Sequence, residues 1–208
     1  MTEVAAPAAG AAAEVAAAAG VTLQDVINSG DENTAMTLMS RGACALAVKW
    51  HSEGLMDGVL CLGGTMGTDL SLDVAHSLPL GVPKVVLSTI SFSPLIPPER
   101  LSPDLTMVLW AGGLYGLNSL CKSALAQAAG AAVGACRVAH APTFDKPVVG
   151  MTSLGSSVLK YMVRLKPELE KRGFELAVFH TTGMGGRAFE SLAARGQFAC
   201  VMDFSLQE

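Results

Sequence analysis

Three short stretches combine glycine with hydroxyl side chains at the ends of apolar runs: Gly63-Gly64-Thr65-Met66-Gly67-Thr68, Thr152-Ser153-Leu154-Gly155-Ser156-Ser157 and His180-Thr181-Thr182-Gly183-Met184-Gly185-Gly186. Where a strand enters a helix through such a turn, main-chain amides and the positive helix end face outward, and glycine leaves an anion room to approach. The predicted chemistry is recognition of a phosphate or carboxylate. Arg187 stands where it can clamp a phosphate or simply open a solvated helix, and Asn118 is either a ligand contact or a helix cap. A second chemistry comes from Ser153, His180 and Asp203, which close three successive apolar runs in the order of a nucleophile, a base and an orienting acid. They offer ester or lactone hydrolysis, although no G-x-S-x-G elbow surrounds the serine.

Other chemistries are poorly matched. No Lys-Ser/Thr pair follows Gly67, the spacing is G-G-x-x-G rather than G-x-G-x-x-G, and the next run ends on Ser88 rather than an acid. A P-loop and a nicotinamide fingerprint are therefore missing. His51, His76 and His140 show no metal-ligand spacing with Cys, Asp or Glu, so no metal is expected.

These residues need a parallel α/β scaffold to converge. Asp31 caps a helix whose apolar positions Ala35, Met39, Ala43, Leu46 and Trp50 share one face, closed by Gly54. A buried strand at residues 59–62, a helix at about 69–78 and a second strand at 85–88 make a βαβ unit. A loop with Pro94, Pro97, Pro98 and Pro103 leads to a third strand at 106–110, and a long alanine-rich helix ends near residue 139. After a polar linker at 140–146 a second series begins: a strand at 147–151, a helix that Pro167 kinks or restarts, a strand at 176–179, a short helix at 187–195 and a strand at 199–203. Turns from strand to helix in a parallel sheet share its carboxyl edge, where open α/β folds bind ligands. The expected class is α/β, with Rossmann-like parallel sheets and flanking helices in two βαβ series. The expected domains are residues 1–140 and 141–208.

Half of the 208 residues are hydrophobic and only 15% are charged, which suits a packed globular protein and excludes disorder. A net charge of -4 without a basic cluster argues against nucleic acid as a ligand. Cys44, Cys61, Cys121, Cys136 and Cys200 lack C-x-x-C spacing and sit in apolar runs, which predicts buried, reduced thiols and a cytoplasmic setting. The alanine-rich start, with Glu3 and Glu14, lacks the basic and apolar regions of a signal peptide. The most apolar helix-like stretch, residues 120–139, carries Lys122, Gln127 and Arg137, so no membrane span is expected.

Several segments in one order resemble the uncharacterised two-domain proteins related to the tomato mosaic virus resistance protein, often called ATP-binding-domain-like. They are residues 57–68, 80–89, Gly116-Leu117-Asn118 with Ala128-Ala129-Gly130, residues 146–152 and residues 178–187. The resemblance implies a Rossmann-like first domain that binds ATP or another nucleotide, followed by a second α/β domain; a protein-interaction role without catalysis, like that of the viral-resistance relative, is a further alternative. By position, Gly63, Gly64, Thr65, Gly67 and Thr68 would be phosphate-side donors. Asn118, His180, Thr182, Gly183, Gly185, Gly186 and Arg187 would face the cleft. The family's Ser-Gly-Asp reads Ser91-Phe92-Ser93 here, and another family aspartate falls near Gly113, so metal-assisted ATP chemistry loses its carboxylates. Ser153 replaces a bulkier family residue. Members also extend beyond both ends of the matched region, so both sheets are expected to be incomplete, and to be completed in a homo-oligomer or merged into one core.

Overall fold

Lys84–Ser88 forms a strand whose five residues are all buried, and it is the axis of the first sheet. The computed structural model describes residues 8–205; the beginning of the alanine-rich segment, with Glu3, and the last three residues lie outside the described residues. The chain divides into two units: Met1–Ile96 with Arg100–Ala141, and Pro97–Glu99 with Pro142–Glu208.

In the first unit, helices α1 (Ala8–Ala18), α2 (Leu23–Ile27) and α3 (Glu32–Ser52) precede β1 (Val59–Gly63), α4 (Thr65–Ser77), β2 (Lys84–Ser88), β3 (Leu105–Leu109) and α5 (Ser119–Val138). The strands are parallel in the order β1-β2-β3, with Val59 beside Lys84 and Lys84 beside Leu105. The apolar stripe of α3 meets α4 in a core of Ala47, Val74, Leu78 and Val82, to which Ala43, Cys44, Val59 and Cys61 add partly buried surface. Asp31 caps α3 as its position predicts, accepting from the Thr34 amide at 2.9 Å. Gly42 lets α1 and α3 touch, because a Cβ there would lie 1.9 Å from the Val15 carbonyl oxygen.

The second unit holds β4 (Val148–Ser153), α6 (Gly155–Lys171), β5 (Glu175–His180), α7 (Met184–Ala194) and β6 (Cys200–Met202). Its strands are parallel in the order β5-β4-β6, so the sheets stay separate ladders and do not merge. Phe179, Phe189 and Phe198 pack with ring centroids 5.6–5.7 Å apart, and Phe198 lies over Gly150, where a Cβ would be 2.6 Å from the ring.

Two boundaries differ from the sequence expectation in the same way. Helices α4 and α7 begin at Thr65 and Met184, not near Asp69 and Arg187, so residues 65–68 of one glycine turn and 184–186 of the other belong to the first turn of a helix. Helix α6 runs unbroken through Pro167. Cys200 is exposed on β6, contrary to the expectation of five buried thiols, whereas Cys121 is buried and the other three are half-buried. Among the described residues, no helix is long and apolar enough to cross a membrane.

Candidate functional site at the strand ends

Gly63 ends β1 against the start of α4, and a Cβ on it would lie 2.3 Å from the Gly67 carbonyl carbon. Only glycine permits that approach, so Gly63 is there for packing. Gly64 is the N-cap of α4 at φ -77° and supplies no side-chain cap. The amides of Thr65, Met66 and Gly67 thus have no carbonyl partner within the helix, and the first turn of α4 carries no acidic residue. Thr65 is exposed, and Gly64 and Gly67 are half-buried. This is an open helix N-terminus that favours negative charge.

Thr68 does not join it. Its side chain is buried, with the hydroxyl 2.6 Å from Ser88 Oγ, and Ser88 Oγ accepts from the Ile90 amide at 3.0 Å. The expected phosphate donor instead locks α4 to the end of β2. Helix α4 is also tied to the proline-rich loop: Arg100 donates to the Asp69 carbonyl at 3.0 Å and to Asp73 at 2.7 Å, and Ser40 of α3 donates to the other Asp73 oxygen. Within that loop Phe92 is 78% exposed at φ +64°, the one non-glycine residue with positive φ among the described residues. The loop ends at Asp104, which accepts from the fully buried Lys84 ammonium at 2.7 Å and from the Gly81 amide at 2.9 Å. Burial alone would raise the Asp104 carboxyl, but the Lys84, Gly81 and Ser102 hydrogen bonds and the Lys84 charge outweigh it and hold it below the usual range.

The second unit repeats the pattern. A Cβ on Gly185 would sit 1.9 Å from the His180 carbonyl oxygen, so this glycine too admits a helix start against a strand end. Gly183, at φ +96°, is the N-cap of α7 without a side-chain bond, and Leu154 is likewise the N-cap of α6 without one. Neither helix has an acidic residue in its first turn. Thr182 is exposed and Gly186 buried. Arg187 is exposed, with Nε 3.9 Å from a Glu99 carboxylate oxygen in the same unit. Asn118 resolves as a cap, because its Oδ1 accepts from the Cys121 amide at 2.9 Å.

The serine, histidine and aspartate do not assemble into a triad. Ser153 and His180 are register partners on β4 and β5, yet no hydrogen bond joins them among the described residues. Met151 pairs with Met202, so Asp203 falls level with Thr152, on the sheet face opposite Ser153. Asp203 accepts from the Thr152 hydroxyl at 2.6 Å, and that oxygen in turn accepts from the Phe204 and Ser205 amides at 2.8 and 3.0 Å. Strand alternation, invisible until the register is known, separates the acid from the base. The Ser157 side chain lies outside the described residues. Among the described residues, no three His, Cys, Asp or Glu side chains are grouped to hold a metal.

Comparison with known proteins agrees with a two-part chain. The model of the uncharacterised protein family UPF0261 N-terminal domain matches residues 2–141, and the model of that family's C-terminal domain matches residues 146–208. A UPF0261 protein of Brucella suis biovar 1 (strain 1330) is 60% identical over 195 residues, 94% of this chain and 47% of that protein. A UPF0261 protein of Clostridium tetani (strain Massachusetts / E88) is 34% identical over 197 residues, 94% of this chain and 48% of that protein. The ToMV resistance protein Tm-1(GCR237) of Solanum lycopersicum is 33% identical over 180 residues, 84% of this chain and 24% of that protein. The chain spans about half the length of the bacterial relatives.

Proposed function

The chain belongs to the uncharacterised family UPF0261, and from that premise we propose that it binds a small phosphate-bearing ligand, with ATP or another nucleotide as first candidate, at the β1–α4 turn. One observation carries the reading. Three of the four helices that follow a strand, α4, α6 and α7, start within a few residues of the strand end and have neither a side-chain cap nor an acidic first turn. Helices α2, α3 and α5 are capped by Thr22, Asp31 and Asn118. The start of α4, without a side-chain cap at the ligand-binding edge of a parallel sheet, suits an anion supplied from solution. The β1–α4 turn is preferred because Gly64, Thr65 and Gly67 are all accessible there and Arg100 pairs with the neighbouring Asp69 carboxylate at 3.0 Å, offsetting its repulsion. Thermal unfolding with ATP, ADP and inorganic phosphate tests the reading. A ligand at 100 times its dissociation constant adds about 2.7 kcal/mol. Unchanged midpoints with all three at millimolar concentration would sink it.

A further inference from the structure

Ser153 and His180 close neighbouring parallel strands and are direct register partners, so their side chains stand on one face of the second sheet. Adjacent strands run about 4.8 Å apart, a separation that rotation about the two side chains' χ angles closes to a hydrogen bond. Thr181 fixes the two strand ends, because its amide and hydroxyl both donate to the Ser153 carbonyl, at 3.0 and 3.2 Å. Phe179 turns the other way, into its cluster with Phe189 of α7 and Phe198, which leaves His180 on the face away from α7. Neither side chain is already committed. Thr68, Ser88, Asn118, Thr152 and Asp203 are each engaged through their side chains. Among the described residues, the Ser153 hydroxyl and the His180 ring have no hydrogen-bond partner. Ser153 also stands directly before a helix start: Leu154 is the N-cap of α6 without a side-chain cap, Gly155 takes φ +66°, and the first turn carries no acid. The positive end of that helix therefore lies beside the strand end that bears the serine.

We propose that Ser153 and His180 form a two-residue esterase site in the second unit, built from other residues than the β1–α4 turn. Catalytic hydrogen bonds commonly close only around the substrate. Ser153 Oγ gives its proton to a His180 ring nitrogen and bonds to the ester carbonyl carbon, while the carbonyl π electrons move to its oxygen, stabilised by the start of α6. Collapse of this intermediate re-forms the carbonyl and breaks the bond to the alcohol oxygen, which takes the proton from the imidazolium. Water then attacks the acyl-serine with His180 as base; the carboxylic acid leaves and the serine regains its proton. Asp203 is bonded to Thr152 on the other face, so it neither orients the imidazole nor stabilises the imidazolium. The site therefore suits esters whose leaving group departs with little help from a proton. Phenyl and enol esters meet that condition; alkyl esters and amides do not.

The test treats the unaltered chain with p-nitrophenyl acetate and, separately, with a fluorophosphonate, and maps the adducts by mass spectrometry. Hydrolysis of the phenyl ester, no turnover of ethyl acetate, and a single acetyl or phosphonyl adduct on Ser153 are expected. Ser153→Ala and His180→Gln should each lower kcat/KM about 100-fold or more, and His180→Gln should slow phosphonylation of Ser153 to a similar degree. Adduct mapping needs no variant, so it decides the matter even where a substitution prevents folding. The proposal is overturned by a chain that shows neither turnover nor adduct, or by adducts on other residues. Turnover that survives Ser153→Ala, or a serine that reacts as fast beside glutamine as beside His180, overturns it equally.

Discussion

Thr152 and Asp203 are joined by a 2.6 Å hydrogen bond on the face of the second sheet opposite Ser153 and His180. The aspartate thereby fastens the chain after β6 to the end of β4 and gives the histidine no support. Asp203→Ala should lower stability by about 1 kcal/mol in urea unfolding and leave p-nitrophenyl ester turnover unchanged. Turnover that falls on this substitution would mean that the carboxylate reaches His180 in solution.

The glycines of the two main turns should separate cleanly. Gly63→Ala and Gly185→Ala each place a Cβ within 2.3 Å of backbone atoms, at a cost of about 2 to 3 kcal/mol. Gly64→Ala meets only Thr89 Oγ1 at 3.9 Å and should cost less than about 1 kcal/mol. Denaturation midpoints decide the matter, and equal effects at all three would refute the close-approach argument.

Gly64→Asp tests the ligand separately from the fold. Aspartate is a favourable N-cap and interacts well with the helix start, so stability should stay level or rise by up to about 1 kcal/mol. The new carboxylate would occupy the amides that a phosphate needs. A variant that is at least as stable as wild type yet shows no phosphate-induced thermal shift is the expected outcome; an undiminished shift would remove the anion from this turn.

The Lys84–Asp104 pair predicts an acid-sensitive contribution. The folded Asp104 carboxyl titrates below its unfolded value of about 3.9. Its stabilisation is therefore fully present above that unfolded value and is lost as pH falls through the lower folded one. Other exposed carboxylates, such as Asp25, Asp31 and Glu168, are held low by their hydrogen bonds and respond in the same window. The informative quantity is consequently the difference between wild type and Asp104→Asn. That variant leaves the buried ammonium without its counter-charge and should lose about 3 kcal/mol at pH 7. The gap should narrow below pH ~4; a gap independent of pH would deny the carboxylate its role.

The scaffold was legible because its signals are local. Consecutive apolar residues at 85–87 and the four-and-three spacing of Ala35, Met39, Ala43, Leu46 and Trp50 are set by solvent exposure of neighbouring positions, and both match the elements seen. The site was less legible because it depends on register and on which atoms are already occupied. Thr68 and Thr65 look alike in the sequence, yet one is consumed by Ser88 and the other is exposed. Ser153, His180 and Asp203 all close strands, but only the pairing of Met151 with Met202 reveals that the aspartate falls on the wrong face. Helix starts were placed too late because a glycine-rich turn reads as loop, whereas Gly67 and Gly185 are helical residues, Gly67 packed closely by Gly63 and Gly185 by the His180 carbonyl. The Arg100 bridge to Asp69 and Asp73 had no sequence signal, since the partners lie on separate elements.

The strand pairings also bear on how the chain is made. Val59 meets Lys84, Lys84 meets Leu105 and Val148 meets Glu175, so three of the four ladders close over a single connection between successive strands. Such short closures lose little chain entropy and favour rapid formation. The first sheet can therefore assemble on the ribosome once β3 has emerged, while β4 is still unsynthesised. The second is complete only when β6, the later-made neighbour of β4, has followed.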